Sequence, residues 1–259
     1  MYQGFYTIAS GVLMQQRNLN VLSNNLVNAN TPGYKASRLV SSTFDKELLR
    51  VENQMRTNIG GVSVINIVSE EPTRFDSESL LETGRGLDMA INGEGFFRIQ
   101  APAPQNEEGE AEGEGAIYLT RNGNFALDEE GYLELEGFGR VLGQNGPIQL
   151  VNAEFTVQED GSIYGADGNY VDTLSLVVPG EGDTMERAGN ALFQLADGAE
   201  GEPATAFTMV QNWLERSNID PNREYTLIME AQRSFQACST ALQIADRLNQ
   251  KAAQQIAAL

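Results

Sequence analysis

The apolar positions of this chain follow one period at its two ends and another between them. At the front, Phe5, Ile8, Val12, Leu19, Leu22 and Leu26 recur with the 3-4 spacing of a coiled-coil seam, Gln15 being its only polar member. At the back, Ile228, Ala231, Phe235, Cys238, Leu242, Ala245, Ala252, Ile256 and Leu259 keep the same alternation, interrupted by Asn249. The spacing predicts helices over about residues 3–28 and 224–259. Two such seams at opposite ends either close the chain on itself as a helical hairpin or pack its end segments against neighbours. In both cases the termini are expected to be interaction surfaces, and the seam residues are the candidates for an assembly interface. Gly4 and Gly11 weaken the first helix by about 1 kcal/mol each relative to Ala, so alone it would be marginal.

The first helix ends in a cluster of asparagines at 24, 25, 28 and 30, whose side chains bond free backbone groups and tolerate non-helical angles. Thr31-Pro32-Gly33-Tyr34 follows. Proline sets the second position of a turn and glycine accepts the positive φ of the third, the signature of a type II turn. Near the other end, Asp220 or Asn222 is placed to cap the last helix, with Pro221 in or near its first turn.

Between the helices the period shortens to two. Phe44 to Val51 suggests a short helical turn, and Val62 to Val68 reads as a strand bounded by Gly60-Gly61 and Pro72. From Leu87 onward the pattern is β. Phe96 to Ile99 and Ile117 to Thr120 look like paired strands, and Asn122-Gly123 carries a type I′ hairpin signal. Further turns are expected at Glu130-Gly131, Asn145-Gly146, Asp160-Gly161 and Asp167-Gly168. This spacing fits an antiparallel meander or a partly closed barrel rather than a parallel sheet. The stretch 105–115 has five glutamates and no large apolar side chain, so it is expected to be an exposed, mobile loop rather than a calcium site. A second polar stretch, Asp197 to Pro203, is expected to lead out of the β region towards the last helix.

The predicted class is α+β: terminal helices pairing as a coiled coil around a central antiparallel β domain rich in hairpins. The expected division is a discontinuous helical assembly domain of 1–40 plus 215–259, a connecting segment of 41–85 with a short helix and strand, and a β domain of 86–214 that includes the acidic loop.

Charge and composition narrow the function. The chain has 259 residues with 41% apolar, enough for an ordinary core, and 17 Lys plus Arg against 36 Asp plus Glu give a formal net charge of -19. Such a balance argues against nucleic acid and an anionic membrane surface as partners. The first ten residues have no basic segment, and no apolar run approaches the ~20 residues needed to cross a bilayer. A cleaved signal peptide and membrane insertion are therefore not expected. The lone Cys238 gives no intramolecular disulfide and reads as a small buried apolar residue.

Histidine is absent, which removes the commonest general base, most transition-metal sites and the serine-histidine and cysteine-histidine nucleophiles. No phosphate-binding loop, dinucleotide fingerprint or serine elbow is present. The Gly-x-Gly pieces at 84–86 and 93–95 read as turns. No catalytic residue, cofactor or metal site is assigned. Carboxylate chemistry survives as the one alternative, in the form of a secreted carboxylate-dependent enzyme or a carbohydrate-binding module with coiled-coil ends.

Four segments, in order along nearly the whole chain, resemble one family. Asn18 to Lys35, reading NLNVLSNNLVNANTPGYK, closely resembles the N-terminal signature of bacterial flagellar rod and hook proteins. Leu87 to Phe97 looks like the start of that family's β domain, and Tyr118 to Phe125 resembles its first hairpin. Ser217 to Asp220 with Glu230 to Ala237 is similar to its C-terminal helix motif. The resemblance implies an axial structural protein, not an enzyme. In that family the terminal helices pair into the inner layer of a helical tube, the β domain lies outside it, and subunits leave through the flagellar type III export apparatus without a cleaved signal. It implies copies of itself and other rod and hook proteins as partners, and a place in the basal body outside the cytoplasmic membrane. The hook protein is usually longer, with an additional β domain, so a rod subunit fits better. The stretch from Phe44 to Val62 looks shorter than in many distal rod proteins, which leans towards the proximal-side relative, and the acidic loop departs from the family's usual compact turn.

Overall fold

A computed structural model describes residues 2–43, 66–70, 73, 75, 77–102, 115–152, 154–180, 183–189, 191–196 and 201–257. It divides the chain into two compact units, one of Met1–Ala29, Ala36–Arg74 and Ile219–Leu259, the other of Asn30–Lys35 and Phe75–Asn218. The fold class is α+β. The expected helical domain took in 30–35 and 215–218, which here lie in the β unit.

The helix unit is built on α1 (Tyr2–Val27) and α2 (Pro221–Ala257). Asp220 caps α2: its Oδ1 accepts the backbone N–H of Asn222 at 3.0 Å and of Arg223 at 3.4 Å, with Pro221 as the first helical residue. Strand Val40–Thr43 pairs antiparallel with Asn66–Glu70. The expected helical turn over 44–51 and the first part of the strand expected over 62–68 lie outside the described residues.

All strand pairs in the β unit are antiparallel among the described residues. Phe96–Gln100 is the hub. It pairs on one side with Ile117–Thr120 and on the other with Gly139–Val141 and Leu176–Val178. Its alternation buries both faces. Phe97 and Ile99 point into the main core with Phe125, Leu133, Ile148 and Ile163, while Phe96 packs with Leu119, Val177, Phe193 and Leu195. The predicted turns at Asp160-Gly161 and Asp167-Gly168 join the three strands Phe155–Val157, Ser162–Gly165 and Tyr170–Thr173.

Two expectations are corrected. Asn122-Gly123 is not a type I′ hairpin, because neither residue takes a positive φ. The strand before it, Ile117–Thr120, is already paired on both edges, with Phe96–Gln100 and Leu192–Leu195, so the following chain cannot fold back on it. Glycine is needed at 123 for close approach, since a Cβ there would lie 1.6 Å from the Met89 carbonyl oxygen. The second polar stretch is also not simply a lead-out. Glu202–Pro203 pairs with Val177 and Val178, and Phe207–Gln211 and Trp213–Glu215 follow as strands before α2 begins. Of the acidic stretch 105–115, residues 105–114 lie outside the described residues and Gly115 is buried.

Candidate assembly interface

The two seams meet inside the chain. In α1, Leu22 is buried and Phe5, Ile8, Val12, Leu19 and Leu26 are half-buried, whereas Leu13, Gln16, Arg17, Asn20 and Ser23 are exposed. In α2, Ala231 is buried and Ile228, Phe235, Cys238, Leu242 and Ala245 are half-buried, while Tyr225, Met229, Ile244 and Leu248 face out. A Cβ built on Gly11 would lie 3.8 Å from Cys238 Sγ, and Leu22 lines one groove with Leu227 and Ala231. The helices therefore run antiparallel. The side chain of Ile256 and the whole of Leu259 lie outside the described set.

The asparagines that follow the α1 seam have separate tasks. Asn25 is buried and its amide copies a strand partner: Nδ2 donates to the Ser37 carbonyl at 2.9 Å, and Oδ1 accepts the Ser37 N–H at 3.1 Å. Asn28, also buried, donates from Nδ2 to the Asn24 carbonyl at 2.9 Å and to Asn24 Oδ1 at 3.0 Å, tying down the frayed carbonyls of the last turn. Near them the half-buried Glu224 carboxyl is raised, chiefly by burial, against the lowering effect of Arg38, Arg223 and a hydrogen bond from Asn25. Asn30, by contrast, is exposed.

The rest of the signature forms the predicted type II turn within the β unit. Tyr34 N–H bonds the Thr31 carbonyl at 3.3 Å across Pro32 and Gly33, and Gly33 has φ +65°. Any side chain at 33 would also collide with the Arg121–Asn122 backbone, only 2.3 Å from a built Cβ. Gly33 N–H is held by the Glu215 carbonyl at 2.8 Å. The next residue, Lys35, is only 1% exposed and meets Glu215 Oε1 at 2.6 Å, while Arg121 Nη1 lies 3.4 Å from Glu215 Oε2. Arg121 also donates to the carbonyls of Ile91 and Gly93, and Arg187 donates to the Lys35 carbonyl with its guanidinium 4.7 Å above the Tyr34 ring. Burial pulls the Arg121 guanidinium below its ordinary value, and the Glu215 carboxylate opposes that pull.

The seam and the turn were both visible in sequence. Glu215, Arg121 and Arg187 were not. They lie 86 to 180 residues from Lys35, and no local period links them; the one available signal is a charged pair flanking apolar residues, which strand alternation alone does not single out. Among the described residues, no group of three or more His, Cys, Asp or Glu is placed to hold a metal ion, and no helix is long and apolar enough to cross a membrane.

Three family models match the sequence. They are described as flagella basal body rod protein over residues 5–35, flagellar hook protein FlgE/F/G D1 domain over residues 90–164, and flagellar basal body rod FlgEFG protein C-terminal over residues 210–255. The flagellar basal-body rod protein FlgG of Bacillus subtilis is 30% identical over 270 residues, spanning 97% of this chain and 98% of that protein. The flagellar hook-basal body complex protein FlhO of the same organism is 31% identical over 273 residues, spanning 99% of each. The flagellar basal-body rod protein FlgF of Caulobacter vibrioides is 26% identical over 261 residues, spanning 99% of this chain and 98% of that protein.

Proposed function

This chain belongs to the flagellar basal-body rod protein family, and we propose that it enters the rod through the helix pair whose seams are only half covered within one subunit. It is a structural subunit of the flagellar basal body, not an enzyme. Proteins of this family assemble with other rod and hook components.

The observation that carries the assembly reading is the state of the seams. Apart from Leu22 and Ala231, every described seam residue is half-buried. An antiparallel pair covers one side of each seam, and packed neighbours would cover the other. The interface then consists of Phe5, Ile8, Val12, Leu19, Leu22 and Leu26 of α1 with Ile228, Phe235, Leu242 and Ala245 of α2, extended by Ile256 and Leu259. Many copies joined this way make a stiff helical shaft that transmits motor torque to hook and filament. The chain reaches its place through the flagellar export apparatus, without a cleaved signal, and works in the cell-wall or periplasmic zone outside the cytoplasmic membrane.

The test is Leu242→Asp, expressed in a flagellated host that lacks its own copy. A carboxylate in a packed seam carries a desolvation penalty of several kcal/mol, repeated in every subunit. The variant is expected to be exported and absent from purified basal bodies. Normal incorporation and motility would overturn the seam as the assembly interface.

A further inference from the structure

We infer that the cleft around Arg98 is a carboxylate-docking site that receives an acidic side chain of a second copy of this chain, an inference that rests on the rod reading above. The cleft has a volume of about 850 Å³ and lies wholly within the β unit, lined by Arg98, Gln144, Ser175, Thr205 and Phe207 among others. Arg98 comes from the hub strand Phe96–Gln100, on the face that carries Phe96, so the sheet fixes where its guanidinium emerges.

The bonding of that guanidinium is incomplete. Nη1 makes a long 3.3 Å bond to Ser175 Oγ, and Nε is buried with no hydrogen-bond partner. A buried N–H without an acceptor is rare enough to need a reason. What sets Arg98 apart is the lack of a carboxylate: Arg121 Nε is buried without a hydrogen-bond partner too, but its guanidinium meets Glu215, and Arg85 meets Asp88 and Arg140 meets Asp128 and Glu130. Among the described residues Arg98 has no carboxylate within ion-pair distance. Asp160 lines the same cleft, but its Oδ1 is occupied in accepting the Ser162 N–H at 3.0 Å.

The missing group is therefore a planar acceptor with two oxygens, which a guanidinium fork binds in bidentate fashion. The hydroxyls of Ser175 and Thr205 and the Gln144 amide supply further donors around it. Charge identifies the source. At a formal net charge of -19, with 36 Asp plus Glu against 17 Lys plus Arg, a second copy carries carboxylates in excess and otherwise repels the first. An unpaired cation in a cleft converts part of that repulsion into a directional contact between β domains.

The experiment uses the full chain in a flagellated host lacking its own copy and reads the amount recovered in purified basal bodies. Arg98→Gln and Arg98→Glu are expected to lower incorporation at least about tenfold, and Arg98→Lys, which keeps the charge, to stay within about threefold of the unchanged chain. Both uncharged and reversed variants should melt with the unchanged β-unit transition. A photo-crosslinking amino acid at Thr205 should yield a covalent dimer of this chain. Incorporation of Arg98→Glu at the unchanged level overturns the proposal, as does a melting transition that falls in step with incorporation, or a crosslink made only to a different basal-body protein. Absence of the unchanged chain from basal bodies would instead sink the rod reading itself.

Discussion

In the β unit, Phe97, Ile99, Phe125 and Phe193 are wholly buried; in the helix unit, the described apolar side chains less than a tenth exposed are Leu22, Ala36, Ile219 and Ala231. The sheet closes its core within one chain because Phe96–Gln100 is paired on both edges and packed on both faces. A pair of helices cannot do this. Among the described residues α1 packs against α2 and against the strand Asn66–Glu70 and its seam still stays largely half-buried, so full burial, worth roughly 1.5 to 3 kcal/mol for a large aliphatic side chain, would need further partners. The β unit thus closes its described core within one chain, while the helix unit, on the rod reading proposed above, would gain its remaining stability from assembly.

The largest expected effect tests the β side of that contrast. Glu215→Ala would leave Lys35 and Arg121 as neighbouring buried cations, a loss of about 3 to 5 kcal/mol and on the order of 10 °C in melting temperature. Trp213 is the only tryptophan and lies in the β unit, so its fluorescence follows this transition. Unchanged melting would show that the turn is held without the ion-pair network.

Leu22→Asp tests the helix side. It should weaken the helix unit by about 3 kcal/mol, seen as faster hydrogen exchange over 2–27 and 221–257, with the Trp213 transition left in place. If both signals fell together, the two units would be one cooperative structure and the contrast would fail.

Gly11→Cys sharpens the pairing. A Cβ at 11 lies 3.8 Å from Cys238 Sγ, near enough for a disulfide after a small shift. Mild oxidation should remove both thiols from a monomeric chain and slow exchange in both helices. Incorporation of the locked form would show that the helices stay paired in the rod. Failure to oxidise within the chain would contradict the antiparallel register.

Glu224→Gln is the smallest change. Burial raises the folded carboxyl above its unfolded value, so its contribution is fully present below the unfolded pKa and is lost as pH rises through the folded one. The variant should remove this dependence and stabilise the helix unit at neutral pH by only a few tenths of a kcal/mol, because solvent screens a half-exposed charge. An unchanged pH profile of helix exchange would rule the contribution out.

Local chemistry was enough to place both seams, the type II turn at Thr31-Pro32-Gly33-Tyr34 and a helix cap at Asp220 or Asn222, of which the structure uses Asp220, since spacing and backbone preference act over a few residues. It was also enough to place the β region and the pairing of Phe96–Gln100 with Ile117–Thr120. The same local rules misread Asn122-Gly123, where glycine answers a contact with Met89 from a distant strand.

What the sequence by itself determined is the helical ends with their seams, the β character of the region between them, and a family signature strong enough to name the rod proteins. Tertiary structure alone decided that Lys35 and Arg121 share the carboxylate of Glu215, and that Arg98 has no carboxylate within ion-pair distance among the described residues. The physical reason is range: helical period and turn preference are written in neighbouring residues, whereas ion pairs and close backbone approach depend on which distant segments the sheet brings within a few ångströms.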